Sequence, residues 1–267
     1  MPWRTGLIWH APALPDLFAW YDPSDAATIT ETGGLVSLLA DKTVNGRDLA
    51  ASGTQRPTTG AATQNGLNVI SMSNNSLVAA STTDWEVFNR GDTYTTLTIG
   101  VVRWTTLNNG NIYYFCGNNA GTTNSNGMGI FAQHISSEIK AVHDVSTGLG
   151  GAATFAVDNL SAAAAIAVNT WYIVAALHYG DFGAGATAAN RSELIINNGT
   201  AIKNNTQTRS YNNGAGNNAS HPFTIGRSAA GPGGNFPLIG EVGEVMISLD
   251  LDDYATLHAY LSAKWAI

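Results

Sequence analysis

The apolar and polar positions divide the chain into many short segments of period two and one closing segment of period 3.6. Leu17–Asp25 predicts a strand running into an Asp-Pro-Ser-Asp turn. Short strands are predicted at Leu35–Ala40, Leu67–Met72, Ser76–Ala80, Ile112–Cys116, Gly129–Gln133, Glu138–Val142, Thr200–Lys203 and Phe223–Arg227. Tyr94–Trp104 is dense in β-branched and aromatic residues, and Trp171–Tyr179 is almost continuously apolar, so both predict core strands. Asn108–Asn111 reads as a hairpin turn into Ile112–Cys116, and Asn198-Gly199 as a tight turn after the strand Arg191–Asn197. Arg56–Gly66 reads as a polar loop, and the small residues between Ser146 and Asn169 suit a short helix and weak strands equally. The last strand, Phe236–Ser248, alternates so that Val242, Glu244, Met246 and Ser248 should face one way and Gly243, Val245 and Ile247 the other. After it, Leu257, Tyr260, Leu261, Lys264 and Trp265 recur at helical spacing, which predicts an amphipathic helix over 252–265 capped by Asp250 or Asp252.

Composition narrows this picture without redirecting it. Charged residues are only 12%, while Gly, Asn, Ala and Thr are abundant, as suits short strands and turns. Neither an internal repeat nor a compositional linker divides the chain, so one domain is expected over 16–267, preceded by an extended arm over 1–15. The arm carries Trp3, Leu7, Ile8 and Trp9 between prolines; it can lie across its own domain or dock as an attachment segment on a partner chain. The net charge of −7 and the scattered basic residues argue against a nucleic-acid partner. No apolar run reaches membrane-spanning length, and the N-terminus shows no signal-peptide core. Assembly into a particle inside a cell, followed by lysis, fits that N-terminus.

Candidate chemistry is sparse. The one cysteine, Cys116, reads as a buried strand residue, and the six histidines occur singly, which gives no zinc spacing. Asp41, Asn45 and Gly46 predict a loop wrapped around its own amides; the oxygens of Asp41 and Asn45 could alternatively serve a calcium ion, and no other cofactor is expected.

Taken in order, Trp20–Asp25, Ala40–Leu49, Trp171–Val174, Leu194–Thr200, Ile225–Arg227, Gly240–Ile247 and Tyr260–Trp265 resemble the concanavalin A-like (laminin-G-like) lectin/glucanase family, over about Leu17 to Ile267. The resemblance is to the version found in bacteriophage virion proteins and bacterial surface proteins. It implies an all-β fold: a two-sheet antiparallel jelly-roll sandwich with a C-terminal amphipathic helix. It implies glycan binding, glycan hydrolysis or plain assembly as functions. Glucanases of the family carry clustered acidic residues on one strand; here only Glu241 and Glu244 come close, and an offset of three on a regular strand puts them on opposite faces. The expectation is therefore a non-enzymatic virion module, a fibre, spike or decoration subunit that adheres to host-surface polysaccharide and is compatible with a homo-oligomer. A purely structural assembly subunit is the alternative. Sugars are held by planar amides and aromatic faces, which singles out Asn118, Asn119 and Asn126 in one polar loop and Tyr211, Asn212, Asn213 and His221 in another.

Overall fold

A computed structural model describes residues 17–88, 95–118, 127–135, 138–146, 155–160, 166–178, 192–203, 221–228 and 236–267. In chain order the strands are β1 (Leu17–Tyr21), β2 (Ile29–Thr32), β3 (Leu35–Leu39), β4 (Leu49–Ala50), β5 (Thr58–Gln64), β6 (Leu67–Ser73), β7 (Leu77–Ala79), β8 (Thr96–Trp104) and β9 (Ile112–Gly117). There follow β10 (Gly127–Ile135), β11 (Glu138–Ser146), β12 (Phe155–Leu160), β13 (Trp171–His178), β14 (Ser192–Ile196), β15 (Ile202–Lys203), β16 (Thr224–Ile225) and β17 (Ile239–Ser248), then helix α1 (Tyr254–Trp265). All pairings are antiparallel.

The strands form two layers. In the first, β8 lies between β13 and β17; β14 and β15 extend it on one side, and β6 and β1 share the far edge of β17. In the second, β3, β4, β7, β16, β9, β10, β11 and β12 pair in that order. β5 links them, pairing along β6 and touching β3 through Thr58. The main core lies between the layers and includes Tyr21, Leu39, Leu49, Leu77, Val102, Trp104, Phe115, Val174, Phe223, Ile225, Val242, Val245 and Ile247. A second core forms where α1 covers the outer face of the first layer: Leu97, Ile99, Val101, Ile173, Met246, Leu257, Tyr260, Leu261 and Trp265. The predicted all-β fold with a C-terminal helix is thus observed, and that helix adds a third layer. Burying Leu257 and Leu261 contributes roughly 1.5–3 kcal/mol each.

Asp250 accepts from the Asp252 amide and so caps a single 3-10 turn, Leu251–Asp253, that leads into α1. The other end of α1 is held by a hairpin. Asn65 (φ 51°) and Gly66 (φ 75°) turn β5 into β6, as the left-handed positions of a two-residue hairpin require. From this turn Gln64 Nε2 donates to the Trp265 carbonyl and Asn65 Nδ2 to that of Lys264, satisfying carbonyls that have no partner within the helix. The expected loop over Arg56–Gly66 is therefore largely a strand, mostly exposed and polar, so that no apolar alternation announces it.

Two further expectations are corrected. Asn108–Asn111 does not close a hairpin between β8 and β9: both edges of β8 are already taken by β13 and β17, and the turn carries the chain across to the second layer. The face assignment along β17 also changes. The register with β8 slips between Val242 and Glu244, so Gly243 is an extra residue in a β-bulge. Val242, Val245 and Ile247 consequently share the main core, while Glu241, Glu244 and Met246 all face the helix side. Only glycine fits the bulge. A Cβ there would sit 2.8 Å from Val101 Cγ1 and 3.2 Å from the Trp265 ring.

Candidate functional site

The outer face of the second layer carries a cavity of about 540 Å³, within the range of small-ligand sites, roughly 300–1,000 Å³. Its floor follows from strand alternation. Leu49, Leu77, Ala79 and Ile225 point into the main core, so their neighbours Ala50, Val78 and Thr224 point out. These neighbours lie in register: Ala50 opposite Val78, Val78 opposite Thr224, and Thr224 opposite Gly117. Three strands, β4, β7 and β16, thus present one row of outward residues to the cavity, and Gly117 of β9 pairs beside it. Gly117 has a φ of 147°, and a Cβ there would meet the Met128 carbonyl oxygen at 2.2 Å, so the position excludes any larger residue. Ala51, Ser52 and Gln55 line the cavity at one end, and Ser76, Pro222, Arg227 and Ser228 complete its lining. Arg227 is only 7% exposed, and its Nη1 donates to Gln55 Oε1 at 3.1 Å. The Ser228 hydroxyl is buried and has no hydrogen-bond partner among the described residues.

The residues singled out from the sequence fall into several places. Asn118 is fully buried. It receives the Met128 amide at 2.9 Å and donates to the Trp85 carbonyl at 3.2 Å, which pins the β9–β10 connection. It directly follows Gly117, which pairs with Thr224 of the lining. His221 is half-buried and directly precedes Pro222 of the lining, and burial pushes its imidazole pKa down. Asn118 and His221 are the described residues of the two sequence-predicted loops, and His221 adjoins the lining in sequence. Asn119, Asn126, Tyr211, Asn212 and Asn213 lie outside the described residues, as does the arm with Trp3, Leu7, Ile8 and Trp9. Ala50, Val78 and Thr224 were not candidate site residues in the sequence, and Arg227 entered only within the motif Ile225–Arg227. The signal of the first three is one outward residue in each of three very short strands, visible only once those strands are paired.

The Asp41 loop is organised by the protein's own donors. Asp41 Oδ1 accepts from the Trp20 and Thr43 amides, and Oδ2 from the Thr43 hydroxyl and the Arg47 amide, all between 2.8 and 3.0 Å. Asn45 Nδ2 donates to the Leu17 and Phe18 carbonyls. Among the described residues, no group of three or more His, Cys, Asp or Glu is arranged to hold a metal ion.

The densest charge cluster lies under α1, away from the cavity. Glu244 is fully buried and accepts four bonds: from Trp20 Nε1 (2.6 Å) and the Tyr260 hydroxyl (3.2 Å) on Oε1, and from Trp265 Nε1 (2.8 Å) and Lys264 Nζ (2.8 Å) on Oε2. Lys264 Nζ also reaches Asp22 Oδ2 at 2.9 Å and the Tyr260 oxygen at 3.1 Å, which uses all three of its protons. Asp22 further holds Lys42, which bridges to Asp25 and stacks over the Trp20 ring. Burial pushes the Glu244 carboxyl above the ordinary carboxylate range, the nearby Asp22 charge adds to this, and Lys264 opposes it. Asp22 is also pushed up by burial, but Lys264, the Ser24 bond and Lys42 outweigh that and hold it below the usual range. Glu241 lies on the same face, paired with Arg103 at 2.8 Å. The β17 bulge thus cancels the argument that these two glutamates face apart. What removes Glu244 from the chemistry is saturation: four donors leave no lone pair for a substrate. The motifs that carried the family resemblance, Trp20–Asp25, Lys42, Glu244 and Tyr260–Trp265, converge on this lock.

No family model and no curated protein matches the sequence. Solved structures do match the fold. A Trypanosoma rangeli sialidase superimposes with a TM-score of 0.57 at 13% identity, over 94% of this chain and 33% of its own. An arabinofuranosidase complexed with arabinofuranosyl-α-1,2-xylobiose gives 0.55 at 13% identity, over 86% of this chain and 51% of that one. Tailspike protein 2 from an Escherichia coli O157:H7 bacteriophage gives 0.52 at 13% identity, over 79% and 27%. At these identities the likeness is one of fold, a β-sandwich, and the chain spans a third to a half of the two enzymes it matches. The expectation of a non-enzymatic chain is corrected by these findings: the sandwich is shared with a sialidase and an arabinofuranosidase, so it gives no ground for setting the chain apart from glycoside hydrolases.

Proposed function

We propose that the chain is the glycan-engaging β-sandwich of a carbohydrate-active, tailspike-like virion protein, working on host-surface polysaccharide. The observation that carries this reading is the cavity on the second layer: a floor of small residues in register, hydroxyl and amide groups around it, and a guanidinium within its lining. A sugar ring can approach such a floor closely, and Ser52, Ser76 and Gln55 suit its hydroxyls. The resemblance of its motif order to the concanavalin A-like jelly roll supports the same reading. In the whole protein this module would hold polysaccharide for cleavage, with residues 1–15 contacting other virion proteins.

The test is co-sedimentation of the chain with purified bacterial surface polysaccharides, with new reducing ends measured in the same tubes. Binding that is lost on Ser52→Trp, a change at an exposed lining position, is the expected result. Binding that survives this change would place the glycan site elsewhere and defeat the proposal.

A further inference from the structure

We infer that the cavity selects sugars that carry an acetyl group, burying its methyl on the floor and holding its carbonyl oxygen on Ser76 and Gln55; this rests on reading the cavity as a glycan site. Ala50, Ala51, Val78 and Pro222 line the cavity with side chains of hydrocarbon alone. A sugar hydroxyl set on that surface gives up its water and gains no partner, which is costly. A methyl group gains there instead, because apolar area leaves water on both sides. The described lining holds no aromatic ring, so stacking on the face of a sugar ring is not what the floor supplies.

Two polar groups beside this floor are donors without an acceptor. Ser76 and Val78 flank Leu77, which points into the core, and both line the cavity. Ser76 is only 7% exposed, and its hydroxyl has no hydrogen-bond partner among the described residues. Its amide donates to the Gln55 carbonyl at 3.1 Å, which sets the two residues side by side. Gln55 Oε1 in turn accepts from Arg227 Nη1 at 3.1 Å. A guanidinium can only donate, so this bond fixes which end of the Gln55 amide is oxygen. The other end, Nε2, has no acceptor among the described residues. Buried polar groups are nearly always bonded, so a nearly buried hydroxyl left open in a lining marks where a ligand acceptor completes the site. A carbonyl oxygen can accept from both donors, and an acetyl group is the smallest sugar substituent that joins such an oxygen to a methyl.

Sugars carry acetyl groups as amides and as esters, and calorimetric titration of the full chain separates the two. Tri-N-acetylchitotriose is compared with cellotriose, and O-acetylated bacterial alginate with the same alginate after mild alkali. The expected result is that at least one acetylated member binds about 10-fold or more tightly than its unacetylated partner, from one buried methyl and its hydrogen bonds. Val78→Thr keeps the shape of the floor but puts a hydroxyl on it, and Ser76→Ala removes a donor; each should reduce the preference, and the two together should abolish it. A preference that survives both changes overturns the inference. The wild-type comparison together with Ser52→Trp decides the matter if these variants fold poorly. Equal affinity within both pairs overturns the acetyl selection and leaves the glycan site standing. No heat from either acetylated ligand also overturns the selection, while acetylated binding unaffected by Ser52→Trp removes the cavity from glycan recognition altogether.

Discussion

Replacing Lys264 by methionine removes the one cation that separates two buried carboxylates. Lys264 and Asp22 are each 4% exposed and Glu244 is 0% exposed, so water does not substitute for the lost ammonium. Breaking a buried pair from one side costs about 3–5 kcal/mol, which in a chain of this size lowers the melting temperature by roughly 6–20 °C. The loss should depend on pH. In the native protein Asp22 is held below its unfolded value, so it contributes stability that is present above that value and lost as pH falls through the folded one. Glu244 is raised, so stability declines as pH rises from its unfolded value through its folded one. Lys264 holds both carboxyls down; without it both move up, and the ionised pair becomes more costly. The variant should therefore lose more stability near about pH 8 than near about pH 5. Guanidinium denaturation followed by tryptophan fluorescence at both pH values measures this. Adding Glu244→Gln to Lys264→Met should recover part of the loss, because one of the two opposed charges is gone. A loss below about 1 kcal/mol at the higher pH, or no dependence on pH, would refute the account of the lock.

Other outcomes follow from the same contacts. Trp265→Ala empties the space over Gly243 and leaves one Glu244 oxygen short of a donor; it should cost about 3–5 kcal/mol, measured as a shift of the denaturation midpoint. Cys116 is fully buried in β9, and burial pushes its thiol pKa far up, so a thiol reagent should modify it only after unfolding; labelling of the native protein at the unfolded rate would contradict its place in the core. Asp41→Ala strips the acceptor from four donors and should cost about 2–3 kcal/mol. With both Asp41 oxygens already engaged, added calcium should leave the melting temperature of the wild-type chain unchanged.

Local pattern was enough wherever the signal was local. Tyr94–Trp104 and Trp171–Tyr179 were legible as core strands because buried strands are continuously apolar, and α1 because Leu257, Leu261 and Trp265 repeat at its own period. Turn chemistry placed Asn198-Gly199 between β14 and β15. The candidate site was far less legible. Loop composition singled out Asn118 and His221, but Asn118 proved to be a buried brace, and the cavity is lined by residues that no local pattern marks.

The sequence by itself determined the all-β class, the closing helix and the apolar faces, since each depends on residues within a few positions of one another. Only the tertiary structure decided which of those faces meet. One extra residue at Gly243 moved Glu244 to the face of Glu241, because strand alternation has a period of two and a single bulge inverts everything beyond it. The cavity needed three strands, β4, β7 and β16, drawn from positions 49 to 225 and set in register side by side. Cross-strand pairing between segments so far apart is fixed by the packing of the whole sandwich, and no local pattern encodes it.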